Sequence, residues 1–197
     1  MTRPESRSFK AIIFDLYDTL VWLDVEQSDR GRRELAASIG VPLERFLSAW
    51  RSSINDRMVG KGNGLAGHLA DTIALLGISS DQRLVSELIA IEQHRLRESV
   101  HLYPATTPVL ERLRRAGYDL GLLSNASDSA ALPITYLGLD GLFDEIILSH
   151  EVGLLKPDPA IYELACRRRG VTPVPESFAA DGGFGELDPA HPPGSVT

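Results

Sequence analysis

The chain has 197 residues, 43% hydrophobic and 24% charged, the composition of a globular protein with one core domain and room for a modest insertion. A net charge of −7 argues against a general nucleic-acid binder, which carries a basic excess, but leaves a locally positive anion site open. The only cysteine, Cys166, excludes an internal disulfide and points to a reducing compartment; the apolar run 11–14 is far too short for a signal segment or a membrane span, so a cytoplasmic protein is expected.

The first predicted element is a strand over residues 9–14, short, apolar and β-branched, with Asp15 directly after it. From about 26 to 98 the pattern becomes helical. Leu35, Ile39, Phe46, Leu47 and Trp50 mark apolar faces in the first half, and Leu69, Ile73, Leu76, Leu84, Leu88 and Ile91 in the second. The glycine-rich stretch 60–64 (GKGNG) splits this region into two helical pairs; no strand precedes it and no Ser or Thr follows its Gly-Lys, so it is not a Walker loop. Strand and helix then alternate: helix 106–116, strand 118–123 ending in Ser124 and Asn125, helix 129–137 disturbed by Pro133, strand 145–148, helix 159–169, and strand 177–180 ending in Asp181. This alternation predicts an α/β fold with a Rossmann-like parallel sheet. The expected division is a core over 1–24 and 99–187, a helical insertion over 25–98, and an irregular, proline-rich tail over 188–197.

Ligands of open parallel sheets bind beyond the carboxyl ends of the strands. Polar groups stand at those ends here: Asp15 to Thr19, Ser124 and Asn125, Ser149 and His150, and Asp181. One Asp after a strand is most often a turn or N-cap residue; the ordered set is what points to a site.

Residues 14–20 (FDLYDTL), 124–125 (SN), 156–159 (KPDP) with Tyr162 beyond, and 181–186 (DGGFGE) together resemble the four motifs of the haloacid dehalogenase superfamily, and the resemblance runs from about Phe9 to Glu186. It implies a Rossmann-like core with a helical-bundle cap inserted after the first motif. It also implies that Asp15 is a covalent nucleophile, that Lys156 places a fixed positive charge beside it, and that Ser124 acts with them. Thr19, the Asn125 backbone and Tyr17 would lie on the substrate. Mg²⁺ would be held by Asp15, the Tyr17 carbonyl and Asp181, with Glu186 in support.

The chain departs from the family's pattern in ways that divide its subgroups. Phosphatases of the family carry a second Asp two residues after the nucleophile, as acid for the leaving alcohol. Here that position is Tyr17, as in 2-haloacid dehalogenases, and Asp18 comes one residue later. Asp181 is the acidic residue of phosphatases, whereas dehalogenases have a small polar residue there and an Asn at the Gly183 position. Dehalogenases also use a cap arginine for the substrate carboxylate; Arg45, Arg51 and Arg57 are candidates, read here as solvated helix residues.

The expectation is a Mg²⁺-dependent phosphatase-type hydrolase acting on a small phosphorylated metabolite, with no nucleic-acid or membrane partner. The alternatives are a metal-free 2-haloacid dehalogenase-like hydrolase, or a truncated or weakly active relative with a binding or structural role. The last arises because the family's final strand–helix unit is missing after 181–186, which leaves a sheet edge that a homodimer would cover. Trp22 and Trp50 are expected to pack between cap and core, His68, His94 and His101 to be ordinary helix or loop histidines, and Cys166 to be buried and inert.

Overall fold

The computed structural model describes residues 11–79, 81–169 and 178–179. Asp181, Gly183, Glu186 and the 188–197 tail lie outside them.

Strands β1 (Ala11–Phe14), β4 (Asp119–Ser124), β5 (Glu145–Leu148) and β6 (Phe178–Ala179) form one sheet in the order β5-β4-β1-β6, parallel at each pairing. The side chains of β1, β4 and β5 alternate between two apolar layers, as the pleat requires. Phe14, Leu120, Leu122 and Leu148 face a layer that includes Leu110 of α6 (Thr106–Arg115) and Ile134 of α7 (Asp128–Tyr136). Ile13, Leu123 and Ile147 face Ile161, Tyr162, Ala165 and Cys166 of α9 (Pro159–Arg169). Burial on both faces is why β1 and β4 read as continuous apolar runs. Pro133 does not break α7; it lies inside the helix, and the Leu137 N–H still donates to its carbonyl oxygen at 3.0 Å.

A second sheet was not expected. β2 (Val21–Leu23) pairs antiparallel with β3 (Val100–Leu102), with Leu23 opposite Val100. The chain therefore leaves the core and returns to it at adjacent points, and all of residues 24–99 hangs from this ribbon. Trp22 lies on it, 36% exposed and against His101 at 4.9 Å, so it does not pack between cap and core as expected.

Between the ribbon strands run α1 (Val25–Ser38), α2 (Leu43–Arg51), α3 (Ile54–Met58), α4 (Gly64–Leu75) and α5 (Gln82–Ser99), three helices before the glycine stretch and two after it, rather than two pairs. Asp24 and Asp81 cap α1 and α5 with side-chain oxygens. Leu35, Phe46, Leu69, Ile73, Leu76 and Leu88 form a core separate from both sheet layers. α1 and α5 approach closely at Gly31, where a Cβ would collide with the Arg95 side chain. Arg95 there donates to both Glu92 carboxylate oxygens and to Ser28 Oγ, each at 2.7 Å. Among the described residues no helix is long and apolar enough to cross a membrane.

Candidate active site

β1 ends in Phe14, and the chain turns immediately: the Leu20 and Val21 N–H groups both donate to the Leu16 carbonyl, and the Asp18 N–H donates to Val21 O. Asp18 takes the left-handed conformation (φ 58°) that this turn needs, which Asp tolerates better than most residues, and its side chain is exposed. Asp15 stays at the strand end. Its Oδ1 lies 2.8 Å from Lys156 Nζ, with the two side chains 13% and 3% exposed.

Lys156 is held in place through its backbone. Asn125, just past the end of β4, donates from Nδ2 to the Lys156 carbonyl oxygen at 2.9 Å and accepts from the Lys156 N–H at 2.8 Å. A two-point amide clasp of this kind fixes the backbone from which the lysine side chain extends to Asp15. Ser124 is 1% exposed at the last position of β4. Thr19 Oγ1 is buried with no hydrogen-bond partner among the described residues. A buried hydroxyl left unsatisfied costs about 1–3 kcal/mol, so an acceptor or donor from a ligand would be favoured there.

Tyr17 is placed differently from a substrate-binding or acid residue. Its hydroxyl donates to the Ala130 carbonyl oxygen of α7 at 2.9 Å. Burial, with Tyr136 and Glu92 nearby, raises its phenol above the ordinary value, so it stays a neutral hydroxyl. Tyr162 is 4% exposed within the α9-side apolar layer. Cys166 is buried, and burial pushes its thiol up, as expected of an inert cysteine.

The described residues include no cluster of three or more His, Cys, Asp or Glu able to hold a metal. Asp15 and the Tyr17 carbonyl supply oxygen donors, the kind a hard divalent cation prefers. Asp181 and Glu186, the other expected ligands, lie outside the described residues, two and seven positions beyond the end of β6 in the chain. β6 runs beside β1, with Ala179 opposite Phe14.

The helical insertion contributes a second polar group that the sequence reading missed. Arg57, expected on a solvated face, is 7% exposed. It donates from Nη2 to Ser129 Oγ at 2.8 Å and Ser127 Oγ at 3.3 Å, lies 3.7 Å from Asp128 Oδ1, and stacks on Trp50 at 5.1 Å. Burial pulls its guanidinium below the usual value, opposed by Asp128. Arg45 is exposed and donates to the Leu76 carbonyl, and Arg51 is exposed; both fit the solvated reading. His68 is also buried, 4.1 Å from the Trp50 ring, with Nδ1 3.0 Å from Ser53 Oγ. Burial and the nearby Arg57 lower its pKa to about 3, so the ring is neutral at neutral pH. Arg57, His68, Ser53, Asp71 and the loop of Gly60, Lys61, Gly62 and Gly64 face Asp128 and His150 across a cleft of about 150 Å³.

A family model described as haloacid dehalogenase-like hydrolase matches residues 9–179. The chain belongs to this family. The hydrolase is 27% identical over 191 residues to a glyceraldehyde 3-phosphate phosphatase of Methanopyrus kandleri, covering 95% of this chain and 82% of that protein. It is 29% identical to an (S)-2-haloacid dehalogenase of Pseudomonas putida, covering 83% and 72%. Its fold matches a solved haloacid dehalogenase-family enzyme of Bacteroides thetaiotaomicron, in complex with magnesium and inorganic phosphate, with a TM-score of 0.69 at 17% identity over 91% of this chain and 88% of that one.

Proposed function

We propose that this hydrolase cleaves phosphate esters of small metabolites, with Asp15 as nucleophile and Mg²⁺ as cofactor. The observation that carries the reading is the buried Asp15–Lys156 pair at the carboxyl end of β1. It is joined by the unsatisfied Thr19 hydroxyl. In this reading α1 to α5 are a cap over the site, and substrate enters between cap and core.

Asp15 Oδ2 attacks phosphorus while Oδ1 stays on Lys156, and the phosphorus–oxygen ester bond breaks. Thr19 Oγ1, Ser124 Oγ and the Asn125 backbone N–H hold the phosphoryl oxygens, and Lys156 balances the charge that develops on them. The leaving alkoxide takes a proton from water, because Tyr17 is a neutral phenol committed to Ala130 and Asp18 is exposed. Water then attacks phosphorus of the aspartyl phosphate, releasing inorganic phosphate and regenerating Asp15. The oxygen donors Asp15, the Tyr17 carbonyl and Asp181, with Glu186 in support, would hold Mg²⁺, which would supply positive charge to the phosphoryl oxygens.

The test is hydrolysis of aryl and alkyl phosphates by chelator-treated protein, with and without added Mg²⁺. Mg²⁺-dependent release of phosphate is expected, with aryl esters much faster than alkyl esters because no acid assists the leaving group. Equal rates for the two ester types would overturn the leaving-group argument.

Tyr17 favours a second reading. A halide leaves without a proton, so a site lacking that acid also suits a 2-haloacid, and a 29% identical relative bears the name of such an enzyme. Metal-independent halide release from 2-chloropropionate, with no phosphatase activity, would establish it in place of the first.

A further inference from the structure

We propose that Ser149 is a positioning residue for the reaction: its hydroxyl holds Ala126, and through Ala126 it sets the Asn125 backbone N–H and the Lys156 ammonium against the transferring group. The inference rests on the phosphatase reading and adds to it a residue that acts only through its neighbours.

β4 and β5 end level, with Ser124 opposite Leu148, so the chain leaves the two strands side by side. The first residue after β5 is Ser149, fully buried at the start of the short helix α8 (Ser149–Val152). A serine beside a helix start is most often there to cap it. Ser149 does not: the N-cap of α8 is Leu148, and no side chain caps that helix. Its Oγ turns instead to the segment leaving β4. It accepts from the Ala126 N–H at 3.0 Å and donates its one proton to the Ala126 carbonyl at 3.2 Å. Ala126 is 1% exposed, so water is a poor substitute for either bond.

Ala126 directly follows Asn125, whose side chain clasps the Lys156 backbone. Residues 125 and 126 are therefore gripped at two points by the stretch that runs from the end of β5 to Lys156. His150 Nδ1 lies 2.9 Å from the same Ala126 carbonyl. Because the Ala126 N–H is tied back to Ser149, the peptide plane between Asn125 and Ala126 cannot turn. The Asn125 N–H, one peptide unit earlier, inherits that fixed backbone, and so does the amide that holds Lys156. Without the Ser149 hydroxyl, the buried Ala126 N–H loses its acceptor, and the plane is free to rotate towards another. Groups that act on a transition state tolerate little of this, since a displacement of about 1 Å costs on the order of a hundredfold in rate.

Ser149→Ala removes the hydroxyl. Ser149→Cys, close in size with a weakly bonding thiol, is the second variant should the first lose its fold. Ile147→Val, two residues earlier on β5 and facing α9, is the control, because it trims the core without touching Ala126. With 4-nitrophenyl phosphate and Mg²⁺, Ser149→Ala should lose about tenfold in kcat with KM changed by less than about threefold, because the displaced groups act most strongly in the transition state. Ile147→Val loses packing alone and should keep kcat within about twofold at a comparable fall in melting temperature. Amide hydrogen exchange adds a readout that needs no turnover: the Ala126 and Lys156 N–H groups should exchange at least about tenfold faster in Ser149→Ala, and not in Ile147→Val. Unchanged kcat in a folded Ser149→Ala, an equal loss in Ile147→Val, or unchanged exchange at Lys156 overturns the positioning role and leaves the phosphatase reading standing. Unsubstituted protein that hydrolyses no aryl phosphate overturns the phosphatase reading, and exchange at Lys156 then decides by itself whether Ser149 positions that lysine.

Discussion

Two cationic side chains, Lys156 and Arg57, are buried among the described residues, and they differ in how they are held. Lys156 meets the Asp15 carboxylate at 2.8 Å, directly after strand β1, with its backbone clasped by Asn125. Arg57 comes from the five-residue helix α3 and reaches across to two serines and an aspartate of the core. In the first pair Asp15 directly follows β1, and Lys156, in a turn before α9, is tied to the end of β4 through Asn125. The second joins the helical insertion to the core, so its geometry depends on the two packing together. The difference predicts that the chemistry resides with the first group, and that the second holds insertion and core together.

The largest effect should come from Lys156→Met. It leaves the Asp15 carboxylate largely buried without its cation, which should cost about 3 kcal/mol of stability and lower turnover by at least about a hundredfold. Denaturant unfolding and steady-state kinetics read the two effects. Full activity in a stable variant would place the reacting charge elsewhere.

His68, beside Arg57 and Trp50, should show itself in pH dependence. The His68 pKa is about 3 in the folded chain and near 6.5 when unfolded, so the unfolded state binds more protons between these values. Its contribution is fully present above about pH 6.5 and is lost as pH falls towards 3. Between pH 7 and pH 5 the unsubstituted protein should therefore lose about 2 kcal/mol more than His68→Gln does. Parallel stability curves would mean that His68 is not a desolvated neutral imidazole.

The smallest effect is expected at Tyr17→Phe. One hydrogen bond to the Ala130 carbonyl is lost, about 1 kcal/mol, with turnover nearly unchanged because the phenol's proton is directed to that carbonyl and away from the leaving group. A large fall in kcat with an unshifted melting temperature would make Tyr17 a participant in the chemistry.

The same contrast explains what the sequence could show. β1 and β4 were legible because burial on both faces leaves a run of apolar residues, and the polar groups that follow them, Asp15, Ser124 and Asn125, mark the site from the strand ends. The β2–β3 ribbon was not, because three residues such as Val21, Trp22 and Leu23 show no periodicity. Arg57 was misread for a similar reason: α3 is too short for an apolar face to declare which side is buried, and its partners Ser127 and Ser129 lie some seventy residues away. His68 falls on α4 without a neighbour in sequence at ligand spacing, and only the approach of Trp50 and Ser53 shows that its ring is enclosed. The stretch 60–64 was legible as a helix breaker, but not as the point where insertion meets core.

The proposed mechanism passes through a covalent phosphoryl group on Asp15. Rapid acid quench during turnover of an aryl phosphate in Mg²⁺, followed by peptide mass analysis, tests it directly. The account predicts one phosphoryl group on the peptide containing Asp15, absent from Asp15→Asn, which should be folded and inactive. Continued turnover by Asp15→Asn, or a phosphoryl group on another peptide, would contradict it.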